Sequence, residues 1–134
     1  MCLKTKNGFK KVNKGEAMFI YIIECQDASL YTGVAKDIEK RLKEHYFQEK
    51  QSAKYTKSHQ MKNLKALWHS ETKQNAMKLE YQIKRLSRSK KLELINNPNL
   101  LNEINPTKIN ACDYEYLDSK KQEIIMQKIQ LEEN

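Results

Sequence analysis

The fold of this chain is decided by the stretch from Phe19 to His45, which reads FIYIIECQDASLYTGVAKDIEKRLKEH. An apolar run, a polar break and a second β-prone run predict a β-hairpin. Because the break contains neither Asn-Gly nor Asp-Gly, the turn type stays open. Each predicted strand carries a tyrosine, Tyr21 or Tyr31, and Gly33 follows in the second strand. Glycine inside a strand is typical of a bulge or of a close approach to the backbone.

A helix is predicted directly after the hairpin. Asp37 can cap its N-terminus by accepting a hydrogen bond from the first turn. Its apolar side consists of Ile38, Leu42 and Tyr46. Arg41 and His45 are four residues apart and therefore share one side of this helix.

A third strand is predicted at Leu64–Glu71, where side chains alternate between two faces. One face carries Leu64, Ala66 and Trp68, and the other carries Lys65, Leu67 and His69. We interpret Trp68 as a core anchor rather than a stacking platform, because large aromatic residues contribute most when they are buried.

Thr72 or Asn75 can cap the next helix, and Ser89 is expected to cap a short helix that runs to Ile95. The apolar stripe of the longer helix consists of Ala76, Leu79, Ile83 and Leu86. Glu80 lies at the edge of this stripe with Lys84 one turn on. Taken alone, these two residues indicate a weak surface ion pair.

The chain divides into three parts. Residues 1–17 are rich in lysine and are expected to form a basic flexible arm. Residues 18–95 form the main domain, and the cluster Asn96–Asn99 marks its end. Residues 96–134 form an extension that is irregular from Leu100 to Ala111 and ends in an amphipathic helix from Asp118 or Ser119 to about Glu132. The apolar residues expected on this helix are Leu117, Ile124, Ile125, Ile129 and Leu131, and our default expectation is that it packs on the domain.

The 134 residues contain 25 Lys and Arg against 17 Asp and Glu, a formal net charge of +8. This favours a polyanion as partner, with a merely solvated surface as the alternative. There is no apolar run long enough for a membrane span and no secretory signal in the first residues. The cysteines Cys2, Cys25 and Cys112 show no metal-ligand spacing, and we expect Cys25 to pack as a small apolar side chain in a reducing cytoplasm.

From Met18 to about Ile95 the sequence resembles the GIY-YIG nuclease family, and above all its small stand-alone bacterial members. Phe19-Ile20-Tyr21 takes the place of the first motif and Tyr31-Thr32-Gly33 that of the second, with Phe19 in place of a glycine and Thr32 in place of an isoleucine. Arg41 and His45 stand where the family carries its helix-borne arginine and histidine. Glu80, within Lys78–Leu86, stands where the family carries its metal-binding glutamate.

The resemblance implies an α+β fold with a small three-stranded, mostly antiparallel sheet flanked by helices, to which this chain adds a C-terminal helix. It also implies a metal-dependent endonuclease that hydrolyses phosphodiester bonds in DNA repair or processing, with RNA as a weaker alternative substrate. Mg²⁺ or Mn²⁺ would be held by Glu80, and Arg41 would clamp the phosphate. Tyr21 or Tyr31 would take a proton from water, and His45 would relay that proton or orient a tyrosine.

Contacts with nucleic acid are expected from Gly33, where the backbone can come close, and from basic residues that meet phosphates. The basic residues are Lys54 and Lys57 in a polar segment, where the ring of Tyr55 can stack on a base, and Lys84, Arg85 and Arg88 in a basic run. A solvated loop is the alternative for Lys54 to Lys57. For the whole chain, the alternative from another class is a non-catalytic nucleic-acid-binding module that keeps the GIY-YIG scaffold.

Overall fold

The computed structural model describes residues 17–49 and 59–132. In chain order these residues form β1 (Met18–Cys25), β2 (Leu30–Ala35), α1 (Ile38–Tyr46), β3 (Met61–Ser70), α2 (Lys73–Lys84), α3 (Arg88–Asn96), β4 (Tyr114–Tyr116) and α4 (Ser119–Leu131). The 3-10 helices Pro98–Glu103 and Ala111–Asp113 lie between α3 and β4. The basic arm, apart from Ala17, and the segment with Lys54, Tyr55 and Lys57 lie outside the described residues.

The strands form one antiparallel sheet in the order β2-β1-β3-β4, so β1 lies between the two strands that are nearest to it in sequence. The fold is α+β as predicted, but the prediction of three strands is wrong because β4 adds a fourth. Its three residues pair with the end of β3, Tyr116 with Trp68 and Tyr114 with Ser70. A strand of three residues is too short to show an alternating apolar pattern in the sequence. It forms because it pairs with β3.

The pairing of β1 with β3 contains a bulge at Lys65. Ile22 lies opposite Ala66 and Ile23 lies opposite Leu64, so Lys65 has no partner across the ladder. An extra residue in one strand reverses the side-chain alternation beyond it. Leu64 therefore points to the opposite face from Ala66, and the prediction that the two share a face is wrong.

Helices cover both faces of the sheet. On the face that we call the α2 face, strand residues pack against α2, α3 and the segment before β4; the largest are Ile20, Ile22 and Trp68, against Leu79, Ile83 and Leu94. On the face that we call the α1 face, Tyr21, Ile23 and Leu67 pack against Leu42 of α1 and Met126 and Ile129 of α4. Trp68 is buried as a core anchor, as predicted. A sheet covered on both faces explains why β1 is apolar along its whole length.

The C-terminal helix α4 packs on the α1 face. Its buried residues are Gln122, Met126 and Ile129. Ion pairs join it to α1, Lys43 with Glu132 at 2.7 Å and Lys128 with Glu39 at 3.4 Å. Ile124 and Leu131, which we expected on the apolar side, are exposed by 50% and 74%. The buried stripe runs through 122, 126 and 129, a spacing of four and three that Ile124 and Leu131 do not share.

Side chains cap the helices where the sequence predicted caps, with one exception. Asp37 accepts a hydrogen bond from the backbone N–H of Lys40, and Thr72 caps α2. The short helix α3 is capped by Ser87, whose hydroxyl accepts from Lys90, and not by Ser89. Among the residues that the structure describes, no helix is long and apolar enough to cross a membrane.

Gly33 permits the closest packing in the sheet. It lies directly opposite Tyr21 in the β1–β2 ladder. A Cβ atom at position 33 would lie 2.5 Å from the Tyr21 hydroxyl oxygen and 2.7 Å from the ring carbon that carries it. The Tyr21 ring thus crosses over Gly33. A glycine is needed here because the ring comes close to the backbone, and not because the chain turns.

We predict that Gly33→Ala will destabilise the fold by about 1–3 kcal/mol, because Tyr21 is buried and moving its ring would break the hydrogen bond to His45. Urea unfolding measures the free energy of unfolding of the wild type, Gly33→Ala, Tyr21→Val and the double variant, which together form a double-mutant cycle. In the Tyr21→Val background the ring is gone, so the cost of Gly33→Ala should disappear. Equal costs in both backgrounds would contradict the packing described here.

Candidate active site

The hairpin and α1 bring together three rings that the sequence separates. The ring centroids of Tyr21 and Tyr31 are 6.4 Å apart, and each lies 5.6 Å from that of His45. Tyr31 lies opposite Ile23, which is two residues from Tyr21 in β1, so both tyrosines point to the same face. His45 reaches them because α1 packs on that face. The two tyrosines and the histidine that the motif series singled out therefore form one cluster.

A buried hydrogen bond connects the sheet to α1. The hydroxyl oxygen of Tyr21 lies 2.7 Å from Nε2 of His45. The exposed fraction is 1% for Tyr21 and 0% for His45, whereas Tyr31 is half-buried. Of the two tyrosines, only Tyr31 has appreciable exposure to solvent.

Burial shifts the proton equilibria of this pair. Burial raises the pKa of the Tyr21 hydroxyl, the nearby Tyr31 acts in the same direction, and a hydrogen bond with Arg41 opposes them. Burial also lowers the pKa of His45 to about 4, and the positive charge of Arg41 contributes to this shift. At neutral pH, therefore, Tyr21 is protonated and His45 is uncharged.

Arg41 is held by an acidic residue that the sequence analysis did not single out. Its Nη1 donates to Oε1 of Glu44 at 2.7 Å, and the Glu44 side chain is only 8% exposed. A buried carboxylate needs such a partner. The Arg41 side chain remains 28% exposed. The sequence signal was available, because a glutamate three residues after an arginine on a helix lies beside it.

Glu80 lies on α2, which packs against β1 and β2 on the α2 face, whereas the aromatic cluster lies on the α1 face. Its charge is close enough to add to the rise in the Tyr21 pKa, after burial and Tyr31. Its side chain is 15% exposed, and Oε2 lies 3.2 Å from Nζ of Lys84. The surface ion pair expected from the sequence is therefore present, and the carboxylate also lies within electrostatic range of the aromatic cluster.

Residues 17–49 and 59–132 contain no group of three or more His, Cys, Asp or Glu side chains that could hold a metal ion by themselves. Among these residues, Glu80 would therefore hold a metal ion as a single carboxylate ligand. This donor set is compatible with Mg²⁺, which binds through one or two carboxylates, keeps several waters and takes further oxygens from a phosphate substrate.

The remaining predicted contacts with nucleic acid are spread over α2 and the start of α3. Lys84 and Arg85 close α2 and Arg88 opens α3, and all three are exposed. Arg85 lies against Tyr81, with Nη1 donating to the tyrosine hydroxyl at 3.1 Å. Gly33 is covered by the Tyr21 ring, so we no longer expect its backbone to meet the substrate directly.

Comparison with known proteins matches part of this sequence to a described family. Residues 17–93 match the model of the GIY-YIG catalytic domain. A UPF0213 protein of Staphylococcus saprophyticus is 52% identical over 77 residues, which are 58% of this chain and 92% of that protein. A UPF0213 protein of Staphylococcus aureus is 46% identical over 80 residues, 60% of this chain and 95% of the relative.

The solution NMR structure of the UPF0213 protein BH0048 from Bacillus halodurans is also similar. It is 35% identical, with a TM-score of 0.39, and the match covers 69% of this chain and 90% of that one. The family model spans more than half of the 134 residues and includes both tyrosine motifs, the arginine and histidine of α1 and the glutamate of α2. The chain therefore belongs to the GIY-YIG family.

Proposed function

We propose that this chain is a metal-dependent endonuclease that hydrolyses phosphodiester bonds in DNA, in DNA repair or processing in the bacterial cytoplasm. One observation carries the proposal. The β1–β2 hairpin and α1 place Tyr21, Tyr31 and His45 in one cluster, with Arg41 hydrogen-bonded to Tyr21 and Glu80 within electrostatic range. Phosphodiester hydrolysis needs a cation beside the phosphate, an acceptor for the proton of water and a carboxylate for a metal ion.

Arg41 binds the phosphate in this proposal. Glu44 engages Nη1 and so fixes the orientation of the planar guanidinium, while part of the side chain stays exposed. A fixed arginine can offer its remaining N–H groups to two phosphate oxygens at once. Glu44 thus acts as a positioning residue for Arg41.

Tyr31 takes the proton from the attacking water. It is the tyrosine with appreciable exposure, whereas Tyr21 is enclosed and burial raises its pKa. Tyr21 instead holds the cluster in place through its hydrogen bond to uncharged His45. Arg41, and a divalent cation when bound, would stabilise the negative charge on the Tyr31 oxygen from which it acts as base.

Glu80 would hold the metal ion together with phosphate oxygens of the substrate. When bound, Mg²⁺ or Mn²⁺ stabilises the negative charge that develops on the leaving oxygen. The ion pair with Lys84 does not prevent this, because Lys84 is 50% exposed and such surface pairs contribute little to stability. Lys84, Arg85 and Arg88 then contribute phosphate contacts from the end of α2 and the start of α3.

We predict that Glu80→Ala and Arg41→Ala will each lower the cleavage rate by at least about 100-fold. The assay uses labelled single-stranded, duplex and branched DNA, and an RNA strand, with Mg²⁺ or Mn²⁺. Glu93→Ala is a control, because Glu93 is likewise a helical glutamate paired with a lysine, at 3.7 Å, but lies more exposed, at 56% against 15% for Glu80. It should cut like the wild type. A wild type that binds DNA without cutting it supports the binding-module alternative instead, and a Glu80→Ala variant that cuts normally refutes Glu80 as the metal ligand.

The two tyrosines are separated by substitution with phenylalanine, which keeps the ring and removes the hydroxyl. Tyr31→Phe should lower kcat by about 10²–10⁴-fold with DNA binding unchanged, because it removes the proton acceptor. Tyr21→Phe should have the smaller effect on kcat and should also lower stability, because it removes a buried hydrogen bond. The reverse order of the two kcat values would assign the base to Tyr21.

The uncharged state of His45 makes the fold sensitive to acid. The unfolded chain binds a proton near the ordinary histidine pKa of about 6.5, whereas the folded chain binds it only near pH 4. Stability should therefore be full above pH 6.5 and fall by up to about 1.4 kcal/mol per unit as the pH drops from 6.5 to 4. Urea unfolding across this range measures the slope. His45→Gln, which keeps a hydrogen-bonding group but does not titrate, should show a flatter profile; an unchanged slope would refute the assignment to His45.

A further inference from the structure

The outer face of α2 carries an exposed apolar surface of the kind that nucleic-acid-binding proteins use. Met77 and Tyr81 lie one turn apart, and 43% and 57% of their surfaces are exposed. A shallow groove runs over them between α2 and the segment before β4; it is lined by Lys73, Gln74, Met77, Lys78, Tyr81, Gln82 and Lys108. We call this surface the Tyr81 platform. Neither the family motifs nor the proposed reaction uses it.

Charge indicates what the platform binds. Its lining contains lysines at 73, 78 and 108 and no carboxylate. The neighbouring groove between α2 and α3 is different, because Glu93 and Glu103 balance Arg85 and Lys90 there. A surface with apolar side chains at its centre and only positive charge around them suits a polyanion that also offers flat apolar groups. Single-stranded nucleic acid has both properties, since every base has a face that can stack.

Contacts with Arg85 orient the ring of Tyr81 in the absence of a ligand. Its hydroxyl accepts a hydrogen bond of 3.1 Å from Arg85, whose guanidinium carbon lies 5.5 Å from the ring centroid. The loop that carries Lys108 is joined to α2 by the Asn105 amide, which donates to Gln82 at 3.2 Å. These contacts restrict the ring and the loop beside it, which lowers the conformational entropy lost when a base stacks.

We propose that the Tyr81 platform stacks an unpaired base of a single-stranded segment next to the phosphate that is cut. The inference rests on the proposed function and specifies its substrate as DNA with a single-stranded stretch. Tyr81 follows Glu80 directly, so their Cα atoms are about 3.8 Å apart, although their side chains leave the helix about 100° apart. A flexible strand stacked on Tyr81 would reach Glu80 by passing around this part of α2. In duplex DNA the bases already stack on each other, and exposing one costs a few kcal/mol.

Fluorescence anisotropy with a labelled oligo-dT strand and a blunt duplex tests the platform at one fixed salt concentration. Every variant is made in the full chain with Glu80→Ala, so that nothing is cut. Tyr81→Ala should weaken single-strand binding by about 5- to 100-fold and leave duplex binding within about twofold. Tyr81→Phe should keep most of the binding, because the ring suffices for stacking and Arg85 can still lie against it. Ile124→Ala, a half-exposed apolar residue on α4, is the control and should change neither.

The outcomes separate this inference from the nuclease assignment, because binding is measured without cleavage. If Tyr81→Ala binds the single strand as tightly as the parent, the proposal that Tyr81 stacks a base is wrong. The conclusion from the cleavage assay is not affected. If Tyr81→Phe weakens binding as much as Tyr81→Ala, the hydroxyl and its contact with Arg85 matter, which overturns stacking. A dimer in sedimentation velocity that Tyr81→Ala abolishes would show that the platform binds a second copy of the chain instead. If the single strand binds through Tyr81 but the wild type never cuts, the platform stands and the nuclease proposal fails.

Discussion

The hydrogen bond between Tyr21 and His45 is the contact on which the site depends. It joins the central strand of the sheet to α1 at a point from which water is excluded. The same helix positions Arg41, so fixing His45 against the sheet also fixes where the guanidinium lies. Because an unpaired polar group would be costly at this depth, neither partner can be lost without loss of stability as well as geometry.

Much of this site could be predicted from sequence, because its residues lie in local patterns with a mechanism. The Asp37 cap, the four-residue spacing of Arg41 and His45, and the tyrosines of a hairpin each depend on neighbours along the chain. Glu44 was missed, although its spacing from Arg41 was visible, because a charged residue on a helix is usually exposed and only the packed fold shows that this one is buried.

The features of the fold that could not be predicted from the sequence depend on pairing between distant segments. The bulge at Lys65 reversed the direction of Leu64, and β4 has no pattern apart from its partner. The family match ends at residue 93, whereas β4 and α4 lie beyond it. This chain therefore completes its sheet and covers the α1 face with elements that the matched segment does not contain, and nothing in the motifs indicates how they pack.

The crossing of the Tyr21 ring over Gly33 also bears on how such a chain can change over generations. As long as the tyrosine is present, any side chain at position 33 collides with it. If the tyrosine were replaced by a smaller residue first, position 33 would become free to vary, and a side chain gained there would block the return of the tyrosine. The order of the two substitutions is thus constrained, and a lineage that lost this ring would find its loss hard to reverse.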